Sequence, residues 1–296
     1  LFKSKPTVVT VHDLIPMVFP EHFPRGIRGE IKWQIQKYAL KSAAAIITDS
    51  DNSKKDINKI INFPGSKIYS IPLAPSGDYQ RGEDSEILKK AKVKYNLPDD
   101  FVLYVGDVGW NKNVSGLVQA FNSIKYKVLS IKQKGNVKLV LVGKAFLNNN
   151  LPEVKEINNI INELQLNNEI IKTGFVDDSD MAAVYSLAKM YVQPSFYEGF
   201  GLPVLDAMMC GCPVVCSNAS SLPEVGGNAV VYFDPNNIDD MTGKITTILQ
   251  FNNATIINLR NKQYQQAKLF SWEKTAQETI KVYNKFLQNI CCLLPA

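Results

Sequence analysis

Long apolar runs are missing from this sequence. No stretch approaches the roughly 20 consecutive apolar residues that a membrane-spanning helix needs. Residues 1–13, LFKSKPTVVTVHD, also lack the basic start, apolar stretch and small-residue cleavage site of a secretory leader. Histidine is scarce, with His12 and His22 only. Cys210, Cys212 and Cys216 are spaced C-x-C-x3-C, which misses the paired spacing of zinc sites, and both histidines lie far from them in sequence. No metal is therefore expected, and these cysteines read as small buried hydrophobes in a reducing compartment. Basic runs interleaved with aromatics are absent, which argues against a nucleic-acid partner. No G-x-G-x-x-G follows a first strand with an acidic residue about 20 positions on, which argues against a dinucleotide oxidoreductase. Internal repeats are absent as well.

What is present is an ordinary packed composition, 45% hydrophobic and 21% charged over 296 residues, long enough for two domains. The net charge of +5 comes mostly from lysines scattered over Lys54-Lys55, Lys89-Lys90 and Lys132-Lys134. That pattern reads as a solvated surface, compatible with weak attraction to phosphates or anionic lipid head groups. Short β-rich runs alternate with amphipathic helices, the mark of parallel α/β sheets. TVVTV (7–11), AAIITDS (44–50) and KIYSIPL (67–73) predict three strands, and residues 27–43 set Ile27, Ile31, Ile35, Tyr38 and Ser42 on one helical face. Residues 74–86, rich in Pro, Gly and charge, read as a linker. A second block follows, with strands expected near 101–106, 137–143, 169–173, 190–195, 212–217 and 229–233. Three closing helices are expected near 237–250, 255–268 and 272–288.

The most specific stretch runs from Pro194 to Val215, PSFYEGFGLPVLDAMMCGCPVV: a strand, a turn with Gly199 and Gly201, then a helix. Glycines allow a ligand close to the backbone, and a helix N-terminus offers free N–H groups and partial positive charge to a phosphate. Glu198 precedes the helix and Asp206 follows eight residues later. Carboxylates so placed suit sugar hydroxyls rather than phosphates. A helix cap and a solvated surface aspartate would fit the same spacing.

The stretch resembles the signature of retaining glycosyltransferases of the GT-B fold, family 4, in which Glu and Glu stand eight apart within EGFGLPxLEAMAxGxPV. Asp206 stands here in place of the second Glu. The resemblance implies that Glu198 contacts donor-sugar hydroxyls, that Asp206 contacts ribose hydroxyls, and that the backbone from Gly199 through Phe200 and Gly201 to Leu202 borders the donor. VHDLIPMVFPEHFP (11–24) is similar to the family's His-Asp loop, which implies that His12 reaches the transferred sugar. ITDSDNSKKDI (47–57) is similar to the strand-turn-helix beside the family's cleft. YVGDVGWNKN (104–113) resembles the diphosphate loop, with Lys112 as the cation and Asn111 as a hydrogen-bonding neighbour; Asp107 stands where many relatives carry an arginine. TGFVDDSDM (173–181) resembles the loop holding the nucleotide base, near Phe175 and Val176. Glu224, in SSLPEVGGNAVVYFDPNN (220–237), reads as structural, and FSWEKTAQETIKVY (270–283) resembles the helix that crosses back to the N-terminal domain.

The implied fold is α/β, GT-B: two Rossmann-like domains facing a cleft, the N-terminal one incomplete. The expected domains are 1–80 (acceptor side), 81–270 (nucleotide-sugar binding) and 271–296 (returning helix and tail). A first strand with its Gly-rich loop, and acceptor-binding elements, are expected to precede Leu1. The implied activity is metal-independent, retaining transfer of a hexose from a nucleoside-diphosphate sugar. GDP-mannose is favoured, with a UDP-hexose or N-acetylhexosamine donor next. The expected acceptor is a glycan or lipid-linked glycan of surface-polysaccharide assembly at the cytoplasmic membrane face, with peripheral lipid contact. The rival readings are a truncated, inactive nucleotide-sugar-binding module and another GT-B enzyme such as a nucleotide-sugar epimerase or an inverting transferase.

Overall fold

The computed structural model describes residues 6–76, 79–82, 84–130 and 137–291, without the side chains of 125–130 and 288–291. Lys132, Lys134 and Cys292 lie outside these. The chain divides into two compact units: unit 1 takes residues up to Ala74 and from Phe270 onward, unit 2 takes Pro75–Leu269.

In unit 1, β1 (Val8–Thr10), α1 (Ile15–Val18), α2 (Gly26–Lys41), β2 (Ala45–Thr48), α3 (Asp51–Ile61) and β3 (Ile68–Ser70) follow in order. The three strands form a parallel sheet in sequence order. Strand alternation sorts β2 onto two faces. Ile46 packs with Trp33, Ile57, Ile61 and Ile68 on one side. Ala45 and Ile47 pack with Ile71 and Val282 on the other. Ser50 caps α3 by accepting from the Ser53 N–H at 3.0 Å. In α2 the apolar stripe read from the sequence is exposed: Ile27, Ile31, Ile35 and Tyr38 keep 52–82% of their surface. Trp33, on the opposite side of the helix, is the buried anchor, 7% exposed, with Leu40 packed against the same cluster. A single indole supplies more apolar area than any one of these isoleucines, and it decides which face turns inward.

Unit 2 begins with α4 (Ser85–Lys94), a helix the linker reading of 74–86 did not foresee; Asp84 caps it by accepting from Glu86 N–H and Ile87 N–H. Then come β4 (Phe101–Val105), α5 (Val114–Ser130), β5 (Lys138–Val142), α6 (Pro152–Glu163), β6 (Ile170–Gly174), α7 (Asp178–Leu187), β7 (Met190–Gln193), α8 (Leu202–Met209), β8 (Val214–Ser217), α9 (Leu222–Gly226), β9 (Val231–Phe233), α10 (Ile238–Leu249) and α11 (Asn253–Ala267). The final helix, α12 (Trp272–Cys291), belongs to unit 1, where Val282 and Phe286 cover the sheet face that carries Ala45 and Ile47. Linker residues side with unit 2 through contacts: Ser76 N–H and Oγ donate to Asp206, Gly82 N–H donates to Ser186 Oγ, and the Tyr79 ring lies 6.4 Å from that of Tyr185.

The unit 2 sheet is parallel throughout, in the order β6-β5-β4-β7-β8-β9. Strands such as Phe101–Val105 and Val214–Ser217 are buried nearly end to end, as both faces of a parallel sheet must be. Strand order reverses between β4 and β7. Crossovers therefore leave these neighbours in opposite directions and open a crevice at their carboxyl ends, where doubly wound sheets bind ligands. Cys210, Cys212 and Cys216 are buried and unpaired, and burial raises all three thiols.

Candidate active site

Two loops flank the crevice: residues 106–113 after β4 and 194–201 after β7. They are laced together. Asn111 O accepts from Phe196 N–H at 2.8 Å, Asn111 Nδ2 donates to Tyr197 O at 3.0 Å, and Trp110 stacks on Phe196 at 5.2 Å. Asn113, in the left-handed region at φ 51°, donates to Pro194 O and Pro235 O. The predicted donor contact Asn111 is thus a 7%-exposed brace between the loops.

The brace brings Lys112 to Glu198. Lys112 Nζ lies 2.9 Å from both carboxylate oxygens. Glu198 Oε1 also accepts from Gln193 Nε2 at 2.8 Å and Ser195 Oγ at 2.7 Å, and the Tyr191 hydroxyl in turn hydrogen-bonds Gln193 Oε1. Among the described residues Oε2 takes only Lys112, so this oxygen retains acceptor capacity. Sequence reasoning paired Lys112 with the diphosphate and Glu198 with the sugar; it missed that the two side chains hold each other and that Gln193 and Ser195 fix the carboxylate. The P-S-F-Y-E spacing carried that signal, since Ser195 sits three residues before the acid.

Between Glu198 and α8 the chain turns through Gly199, Phe200 and Gly201. Phe200 is 5% exposed. Gly201 has φ +124°, and a Cβ there would lie 2.9 Å from Leu222 Cδ2, so only glycine fits. Leu202 is the first helical residue, and Pro203 removes the next N–H, leaving Gly201 and Leu202 as the donors at this helix start.

A cavity of about 1090 Å³ lies at the carboxyl ends of β4, β5 and β6. Phe175, Val176 and Asp206 line it, together with Gly106, Gly143, Asp107, Lys144, Asp178 and Pro203. Phe175 is 62% exposed and Val176 is 3% exposed. Asn111, Lys112 and Glu198 are not among its lining residues; Pro203 and Asp206 connect it to their loop through α8. Lys144 was missed by sequence reasoning. It follows Gly143 at a strand end, in VLVGKAF, and supplies a cation on the wall that also carries Asp107.

Asp206 is 7% exposed, and its carboxylate accepts from Ser76 N–H at 2.7 Å and Ser76 Oγ at 3.0 Å. Burial pushes its pKa up to about 6, against the opposing pull of the two Ser76 hydrogen bonds. A carboxyl raised in the folded state adds stability below its unfolded value of 3.8 and loses it as pH climbs through about 6. Unfolding free energy is therefore expected to fall by on the order of 2 kcal/mol between pH 4 and 6 from this group. Asp206→Asn should flatten that slope in pH-dependent denaturant titrations. An unchanged slope would place the titration elsewhere.

His12 and Asp49 lie together in unit 1. His12 Nδ1 is 2.7 Å from Asp49 Oδ2; the imidazole is 68% exposed and the carboxylate side chain 6%. Asp49 follows the end of β2 and His12 follows β1, so parallel pairing brings them side by side. Burial raises Asp49 and the hydrogen bond from His12 opposes it. The contact engages Nδ1, and the Nε2 atom makes no hydrogen bond among the described residues. Asp49 was not foreseen as a partner for His12.

Among the described residues no cluster of three or more His, Cys, Asp or Glu could hold a metal, and no helix is long and apolar enough to cross a membrane.

The profile of the family described as Glycosyl transferases group 1 matches residues 85–270. The O-antigen chain mannosyltransferase B of Escherichia coli is 35% identical over 277 residues, which cover 93% of this chain and 69% of that protein. The serotype-specific mannosyltransferase WbdA of Escherichia coli is 31% identical over 287 residues, 96% of this chain but 34% of that protein. Among solved structures, sucrose-phosphate synthase from Thermosynechococcus elongatus aligns with a TM-score of 0.76 at 24% identity, over 95% of this chain and 68% of that one. Anabaena Alr3699/HepE in complex with UDP-glucose aligns with a TM-score of 0.77 at 20% identity, over 95% and 72%. At these identities the structural likeness speaks for the fold.

Proposed function

This chain belongs to the glycosyl transferases group 1 family and has the GT-B fold, and we propose that it moves a hexose from a nucleoside-diphosphate sugar to a glycan acceptor with retention at the anomeric carbon. The observation that carries the reading is the Lys112–Glu198 pair, fixed at the reversal point of the sheet and linked by α8 to a nucleotide-sized cavity. As the anomeric C–O bond breaks, negative charge grows on the leaving diphosphate. Lys112 Nζ and the N–H groups of Gly201 and Leu202 meet it as fixed positive groups. Glu198 Oε2 accepts a hydroxyl of the sugar, while Gln193 and Ser195 keep Oε1 in place. In the cavity, Asp206 accepts from the ribose and the loop at Phe175 and Val176 borders the base. Glu198 acts here as a hydroxyl acceptor and charge partner, not as the proton donor of a glycoside hydrolase.

The donor we favour is GDP-mannose, since two relatives similar along nearly the whole chain are named mannosyltransferases. By the same argument the acceptor is a growing surface polysaccharide, met at the cytoplasmic face of a membrane. The chain spans about a third of the length of one of those relatives, and the activity proposed is that of the whole protein. A UDP-sugar is the runner-up, because a solved neighbour holds UDP-glucose. The diphosphate is held without a metal ion. A thermal-shift panel of GDP-, UDP-, dTDP- and ADP-sugars in EDTA tests these points together. GDP-mannose at about 100 times its dissociation constant should add roughly 2.7 kcal/mol. A shift given only by UDP-sugars would replace the donor, and one requiring manganese would overturn metal independence.

A further inference from the structure

The donor cavity lies at one end of α8; a second cavity, of about 440 Å³, lies at the other. It is lined by Gln80, Arg81, Met209, Gly211, Arg260, Asn261 and Tyr264. These come from the linker, from the end of α8 with its following turn, and from α11, all within unit 2. No carboxylate is among them. Two guanidiniums face the same space, and neither makes an ion pair or hydrogen bond among the described residues. Arg260 Nε is buried and has no hydrogen-bond partner. A third cation stands close by, because Lys268 Nζ lies 5.4 Å from the Tyr264 ring.

Unpaired arginines with solvent on every side are ordinary. Arg260 is not so placed: it is half-buried with its Nε out of reach of water, and the exposed Arg81 reaches over it. Burial and the positive charge of Arg81 both push the Arg260 guanidinium below its usual range, so its charged form is held at a cost. Arginine stays protonated in proteins, and a counter-anion is what relieves such a cost. The approach of Arg81 also depends on the backbone. Gly211 has φ +65°, and a Cβ there would lie 3.3 Å from Arg81 Cδ. The bare glycine gives the arginine stem its room. Gln80 and Asn261 add amide donors on the same wall.

The geometry points to a second anion site here, built by Arg81 and Arg260 for a phosphoryl group and separate from the donor cavity. Planar guanidiniums suit tetrahedral oxyanions through paired N–H donors. The two sites are joined by short spans of chain. Tyr79 lines the donor cavity and Gln80 the anion site; Asp206 lines the first and Met209, three residues on, the second.

Calorimetric titration of the protein with inorganic phosphate, against chloride at equal ionic strength, tests the site. Saturable phosphate binding is expected, weakened about tenfold or more in Arg260→Gln and in Arg81→Gln. Lys112→Ala should leave that component in place. Arg260→Lys keeps the charge and should retain part of the binding, which guards against a folding defect in the glutamine variant; thermal midpoints of all variants complete the control. Sedimentation with phosphatidic acid vesicles, against pure phosphatidylcholine, distinguishes a lipid head group from a free phosphate. Vesicle binding that needs both arginines assigns the lipid source, and phosphate binding without it assigns the soluble one. Absence of binding in both arms, or phosphate binding that survives both glutamine variants and disappears in Lys112→Ala, overturns the proposal.

Discussion

Glu198→Gln is expected to lower turnover by about 10²-fold or more, while affinity for the bare nucleoside diphosphate stays constant or tightens slightly. The asymmetry follows from the contacts. Glutamine keeps an acceptor oxygen for Ser195 and nearly the same volume, so the loop after β7 should hold its course. What it removes is the charge proposed to face the sugar and the partner that holds Lys112 at 2.9 Å. A bare nucleoside diphosphate has no sugar for Glu198 to contact. It meets a lysine released from its carboxylate, and the local charge has become more positive by one. Steady-state kinetics with the sugar donor, beside calorimetry with the bare nucleotide, separates the two effects. A parallel loss of nucleotide affinity would remove Glu198 from the sugar.

How far the sequence carried this site differs from residue to residue. The pairing of Lys112 with Glu198 needed more than the motif. Each residue was identifiable from its own loop, but their contact depends on β4 and β7 being neighbours, a fact of strand order that no local pattern contains. Gly201 was legible as a glycine that lets a ligand near the backbone before a helix; that its φ of +124° also demands glycine came only with the structure. Lys144 was not, because a lysine after a strand-end glycine is common, and only the cavity wall distinguishes it. Asp49 was hidden for a similar reason: 37 residues separate it from His12, and only parallel pairing of β1 with β2 brings them together. The α2 stripe misled in the opposite sense. Periodicity identified the helix and its apolar face, yet Trp33 on the other face set the orientation. Periodic apolar spacing reveals that a helix has a face without revealing what is available to cover it. The α4 helix escaped because its start lies in a run of Gly, Glu and Asp that composition alone assigns to a linker, although Asp84 is a good cap.

Lys112→Ala should produce the complementary pattern. Loss of a charge-assisted contact to the diphosphate is expected to weaken the bare nucleotide by about 1.5–3 kcal/mol, roughly 10- to 150-fold. The weakening should exceed what deleting an isolated cation gives, because Glu198 remains, 10% exposed at its side chain, with its anionic charge no longer balanced. Two consequences separate this account from a simple surface lysine. First, Lys112→Ala should lower thermal stability, since Glu198 keeps Gln193 and Ser195 but loses its only cation among the described residues. Second, the double variant Lys112→Ala, Glu198→Gln should bind the bare nucleotide more tightly than Lys112→Ala alone, because the second substitution removes the unbalanced charge. The two changes are then non-additive, as contacting residues should be. Lys144→Ala supplies the comparison. It lies on the cavity wall with no carboxylate partner among the described residues, so its loss should weaken the nucleotide and combine additively with Glu198→Gln. Additive behaviour of Lys112 with Glu198 would mean that their contact is dispensable to the site. Unchanged nucleotide affinity in Lys112→Ala, with a loss in Lys144→Ala, would move the diphosphate from the loop after β4 to the loop after β5.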